Sequence, residues 1–183
     1  MKKENNLAFI DGANLHMGVT SLGIKLDYKK FRVWLTDKFS VYTAYIFLGN
    51  IPKYSNLYVH LQESGYRIIF KEVVYDGNGK AKGNCDADLV LKTVQWFYEN
   101  EYDNAVIVSS DGDYASLVNF LIDKNKLRAV VSPSDEKKCS VLLKRTKAKI
   151  YYLKDKKNMK HLLMPDREKY KSKNGDEKRK KCL

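Results

Sequence analysis

The stretch Ala105-Val106-Ile107-Val108-Ser109-Ser110-Asp111-Gly112-Asp113 decides the fold. Four apolar residues run without a polar break and stop at an acidic turn. A continuous apolar run this short reads as a strand buried on both faces, the kind found in parallel sheets covered by helices. Leu7-Ala8-Phe9-Ile10 follows the same grammar and ends in Asp11-Gly12-Ala13-Asn14.

Working outward, the remaining elements alternate. A short helix is expected over Ala13–Leu22, and Asp27 caps another to about Phe39, with Phe31, Trp34 and Leu35 on one side. Val41–Leu48 is β-branched and aromatic, hence a strand. Ser55–Ser64 reads as a helix closed by Gly65. Tyr66–Tyr75 reads as a strand and Asp76–Gly79 as a turn. Asn84 caps a helix to about Glu99, whose apolar stripe is Ala87, Val90, Leu91, Val94 and Tyr98. Asp113–Lys124 is a helix and Leu127–Val131 a strand ended by Pro133. Ser134 caps a helix to about Lys144, and Ile150–Leu153 is the last strand. Strands separated by helices pair in parallel through right-handed crossovers. The expected fold is α/β: a three-layer α/β/α sandwich with a mainly parallel central sheet.

The chain has 183 residues, about one domain's worth, and 44% hydrophobic content, enough for a core. No apolar run approaches the roughly 18 residues that span a bilayer, and residues 1–6 lack the apolar stretch of a signal peptide. Cys85, Cys139 and Cys182 form no CxxC pair and no disulfide framework. A membrane-spanning protein, a secreted disulfide scaffold and a repeat solenoid are therefore excluded, and a reducing cytoplasm is the expected compartment.

Net charge is +12. From Lys154 to the end, 12 Lys or Arg face 5 Asp or Glu. Beyond Pro165 there are almost no large apolar residues to offset the entropy of ordering. The expected organisation is a domain over 1–153 and a disordered basic tail over 154–183. Such a tail suits polyanions, since each phosphate contact releases counterions; the plain alternative is a solvated tail that aids solubility.

In parallel sheets, ligands bind beyond the carboxyl ends of the strands, where strand order switches. Here those ends carry acid: Asp11, then Asp111 and Asp113, with Asp86 and Asp88 at the start of a helix. Any one of them has a plain reading as a helix cap. Together they do not. Two carboxylates about 5 Å apart repel by about 3 kcal/mol at an effective dielectric of about 20. Such a cluster needs a cation or raised pKa values. Oxygen-only ligands suit Mg²⁺ or Mn²⁺. Residues 86 and 88 lie about 200° apart on a helix, so only one joins; Asp86 is nearer the apolar stripe. Asp11, Asp86 and Asp111 are expected to converge, and at least one acid to have a raised pKa. No P-loop is present, no second acid follows Asp11 as D-x-D, and His16, His60 and His161 have no metal-ligand spacing.

Asp11-Gly12-x-Asn14, Lys82-Gly83-Asn84-Cys85-Asp86-Ala87-Asp88-Leu89 and Ser109-Ser110-Asp111-Gly112-Asp113-Tyr114, in this order, resemble an NYN domain of the PIN-like nuclease superfamily. The resemblance covers about residues 5–153. It departs at Cys85, where an aliphatic residue is commoner, and at Ser110, where Gly is; neither removes an acid. The resemblance implies a PIN-like sheet and a ribonuclease that hydrolyses phosphodiester bonds with Mg²⁺ or Mn²⁺. Its acidic positions map onto Asp11, Asp86, Asp111 and Asp113 as catalytic and metal-holding residues, with Asn14 as a polar neighbour for a metal-held water or a phosphate oxygen. The expected partner is RNA, single-stranded; a homodimer stays open. Lys53, Lys82, Lys144 and Arg145 are the candidates to track the strand, and Tyr75 or Tyr114 to stack a base. The rival readings are a non-catalytic RNA-binding adaptor and a receiver-like signalling domain. The second lacks a Lys directly after the strand at 127–131.

Overall fold

Every residue of β1 (Asn6–Asp11) is buried. Even Asn6 is satisfied, its amide donating to the Phe39 carbonyl at 2.9 Å. In this computed structural model, residues 4–23, 25–72, 74–75, 81–82, 85–155 and 162 are described. Around β1 run β2 (Val41–Gly49), β3 (Tyr66–Lys71), a two-stranded hairpin of β4 (Val74–Tyr75) and β5 (Ala81–Lys82), then β6 (Ala105–Val108), β7 (Leu127–Ser132) and β8 (Ile150–Tyr152). The six-stranded sheet has the order β3-β2-β1-β6-β7-β8, and every pairing in it is parallel. The order reverses between β1 and β6. That is the switch point at which ligands of open parallel sheets bind.

Helices cover both faces, as period-2 alternation demands. Ala8, Ile10, Val106, Val108 and Val131 face the layer of α1 (Gly12–Ser21), α2 (Tyr28–Phe39) and α3 (Ser55–Glu63). Leu7, Phe9, Ala105, Ile107 and Val130 face α4 (Asp86–Tyr98), α5 (Ala115–Asp123) and α6 (Val141–Arg145). Phe9, fully buried, sits among the rings of Trp96 at 5.9 Å and Tyr102 at 5.6 Å. Asp27 caps α2 by accepting the Lys30 N–H at 3.0 Å. Among the described residues no helix is long and apolar enough to cross a membrane.

Three expectations are corrected. The strand read through Tyr75 ends at Lys71, and Val74–Tyr75 turns into the hairpin. The helix read from Ser134 shrinks to α6, because the Asp135 carboxylate accepts the Lys138 N–H at 3.0 Å and closes a turn, leaving Ser140 to cap the helix. The buried stripe of α4 is Leu89 and Thr93, with Val90, Val94, Trp96 and Phe97 packed beside it; Leu91 and Tyr98 are exposed. Thr93 reads as polar in sequence but donates its hydroxyl to the Leu89 carbonyl at 2.7 Å, so its burial leaves no donor unmet. Leu162, beyond the boundary drawn at 153, is buried in the core, and its carbonyl accepts the Asp27 N–H at 2.9 Å. The Asp76–Gly79 turn, the Asn84 cap and the remainder of the basic tail after Asp155 lie outside the described residues.

The rotated stripe has a direct test. Leu91→Lys is expected to change unfolding free energy by no more than about 0.5 kcal/mol, the range for surface substitutions. A loss of about 2 kcal/mol or more in urea unfolding would put Leu91 back in the core.

Candidate functional site

Ile10 of β1 lies opposite Val108 of β6, so Asp11 and the Ser109–Asp113 turn emerge side by side. Gly12 permits the turn out of β1: a Cβ there would meet the Leu48 side chain and come within 2.9 Å of the Phe47 carbonyl. Asn14, one turn on, locks the two loops together. Its Oδ1 accepts both the Ser110 N–H and the Ser110 hydroxyl, each at 2.9 Å. The Asn14 carbonyl oxygen is therefore engaged with the β6 loop. The Ser110 side chain supplies one of those two donors.

Asp86, Asp111 and Asp113 each present an oxygen, and the three lie within 4.8 Å of one another. Asp86 points inward because residue 86 falls on the true buried stripe of α4, next to Leu89 and Val90. Asp88 points away and pairs with Lys71 at 2.7 Å, a contact that raises the lysine's pKa. Asp111 caps a 3₁₀ turn over Gly112–Tyr114, accepting the Asp113 N–H at 3.1 Å.

Asp11 stands behind this trio rather than within it. It is 7% exposed, and its Oδ1 accepts the Asn14 N–H at 2.9 Å. The link to the trio is Tyr114. This tyrosine is fully buried, and its hydroxyl lies 2.5 Å from Asp86 Oδ1 and 3.2 Å from Asp11 Oδ2. One phenolic proton thus serves two carboxylates. Burial raises the pKa of Asp11, and the charges of Asp86 and Asp111 add to the rise; the Asn14 N–H and the Tyr114 hydroxyl oppose it. Burial, and then the charges of Asp11 and Asp86, hold Tyr114 well above the usual phenol range. Cys85, at the start of α4, is pushed up to about 11 by burial and then by Asp11 and Asp88, so it stays a thiol.

The bridging role of Tyr114 was not read from the sequence, and its full burial removes it as a base-stacking residue. A signal existed: a buried tyrosine needs a partner for its O–H, and acids are its neighbours in sequence. Lys53 is exposed on the 3₁₀ turn (Pro52–Tyr54) that follows the carboxyl end of β2. Lys144 and Arg145 are exposed in the last turn of α6, and Lys144 donates to the Glu136 carbonyl at 3.1 Å. The side chains of Tyr75 and Lys82 lie outside the described residues.

The donor set is carboxylate oxygen alone, half-buried at Asp86 and Asp111 and exposed at Asp113. That chemistry fits a hard divalent cation. The NYN domain family matches residues 7–154. Among solved structures, the chain is similar to a protein of unknown function from Vibrio parahaemolyticus. The two are 21% identical with a TM-score of 0.67, over 89% of this chain and 99% of that one. It is also similar to a mutant of the T5 5′-exonuclease, at 17% identity and a TM-score of 0.39, over 70% of this chain and 50% of that one. No curated protein matches the chain.

Proposed function

Because the chain belongs to the NYN domain family, within the PIN-like nucleases, we propose that it is a metal-dependent ribonuclease acting at the carboxylates of the β1–β6 switch point. One observation carries this reading: Asp86 at the start of α4 and Asp111 and Asp113 in the turn after β6 bring their oxygens within 4.8 Å. Carboxylate oxygens that close repel one another, and a bound cation offsets that repulsion.

Asp86, Asp111 and Asp113 would hold Mg²⁺ or Mn²⁺. A divalent ion there supplies charge neutralisation of the scissile phosphate and activation of water at neutral pH. The chain's own groups prepare the site. Asp11 adds negative potential from behind. Tyr114 aims the Asp86 carboxylate, and Asn14 ties the β1 and β6 loops into one rigid edge. Lys53, exposed at the same edge of the sheet, is placed to follow the phosphates of a strand lying across it.

The test is a cleavage assay on labelled single-stranded RNA with Mg²⁺, with Mn²⁺ and with EDTA. The expected result is cleavage with either ion and none with EDTA. RNA bound but intact under all three conditions would replace the nuclease with the adaptor reading.

A further inference from the structure

A cavity of about 330 Å³ opens between α1, β2 and α3. It begins at Gly12 and Ala13, the two residues after Asp11, and runs past Leu48 and Leu57 to the rings of Tyr54 and Tyr58. None of its lining residues is Asp, Glu, Lys or Arg. Ile10 belongs to the core on the α1 side and Phe9 to the core on the α4 side, so alternation turns Asp11 toward α4. The cavity and the acids thus occupy opposite sides of one strand end.

We propose that this cavity receives a nucleobase of the RNA strand whose phosphate lies over the acids. The inference rests on the nuclease reading and adds what that reading does not contain, a base-binding subsite. Several observations support it. The volume lies at the small end of the small-molecule range, right for one flat ring system. The mainly apolar and aromatic lining, with His16 its one imidazole, suits a flat, neutral base. Tyr58 already uses its hydroxyl, accepting the Ile51 N–H at 2.9 Å and donating to the Gly49 carbonyl at 2.8 Å, so its ring is held rigidly in the wall. Tyr54 is 47% exposed and follows Lys53 on the same turn. A stacking ring beside a cation is the arrangement that binds single strands. Gly12, which lines the cavity, directly follows Asp11 in the chain, so a strand crossing this end of the sheet can present a base to one side and a phosphate to the other.

The experiment measures binding in EDTA, so it needs no catalysis. A single abasic nucleotide is walked along a short RNA, and affinity for the full chain is measured at each position. One position is expected to weaken binding about 5- to 150-fold, the equivalent of the 1–3 kcal/mol of one stacked base. Leu57→Trp, which fills the cavity, is expected to bind intact RNA as weakly as wild type binds the abasic strand, and to ignore the lesion. Tyr54→Ala, at an exposed position, should reduce the abasic penalty even if Leu57→Trp fails to fold. Equal binding of intact and abasic strands overturns the proposal, as does a penalty undiminished in Tyr54→Ala. Cleavage with Mg²⁺ is scored separately. Cleavage without base dependence removes the pocket alone; base-dependent binding without cleavage removes the nuclease reading alone.

Discussion

Asp11→Asn is expected to cut RNA cleavage by about 10²–10³-fold, the loss typical of removing one fixed electrostatic group from an active site, while leaving the protein at least as stable as wild type at pH 7. Asn keeps the geometry: it caps a helix about as well as Asp, so the Asn14 N–H retains its acceptor. Only the charge goes. The sign of the stability change follows from the raised pKa of Asp11, caused chiefly by burial. A native carboxyl with a raised pKa favours the folded state when protonated. That contribution is complete below the ordinary value of 3.8 and is lost as pH rises through the raised value. At pH 7 wild type carries an unfavourable buried charge that the variant lacks. The stability gap should therefore shrink as the pH falls below the raised value. A divalent ion should reverse the ranking, because binding to the native state stabilises by mass action and the variant offers one less charge. Thermal unfolding with EDTA and with Mn²⁺, beside the cleavage assay, reads all three effects. Undiminished cleavage would make Asp11 a plain helix cap with no part in the chemistry of the trio.

Tyr114→Phe is expected to destabilise the metal-free protein by about 1.5–3 kcal/mol at pH 7, the range for a hydrogen bond to a charged group. The substitution keeps the ring in the core and removes only the hydroxyl that touches Asp86 and Asp11. Asp11 is buried, so a lost donor is not replaced by bulk water. Lowering the pH through the raised Asp11 value should recover part of the loss, because protonated Asp11 supplies a proton of its own. Asp11→Asn and Tyr114→Phe share one proton, so their effects should not add. Urea unfolding in EDTA at two pH values is the measurement. Equal stability of variant and wild type at pH 7 would mean that the hydroxyl holds neither carboxylate.

The strands that build the site were legible because β1 and β6 are apolar on both faces and leave no choice of period. Their acids were legible because they stand directly after those runs. That β1 and β6 are neighbours was an assumption; nothing local encodes which strands pair across 98 residues, as Leu7 and Ala105 do. Asp86 was chosen over Asp88 from a stripe that the structure rotates about a quarter turn. The choice agrees with the placement because Thr93, Trp96 and Phe97 move the buried face onto residue 86 itself. Aliphatic spacing alone cannot see a threonine that hides its hydroxyl in its own helix. Nor can it see Asp135 closing a turn where Ser134 reads as a helix cap.

The seam between β1 and β6 also sets a clock on biosynthesis. Asn14 and Ser110, whose side-chain lock aligns the acids, are 96 residues apart in sequence. At roughly 5–20 residues per second, the first half of the site waits about 5–20 s on the ribosome for the second. During that interval β1, β2 and β3 can pair among themselves, but Asp11 has no Asp111 to join. The acidic edge therefore closes only once the most distant pairing in the sheet, Leu7 with Ala105, has been made.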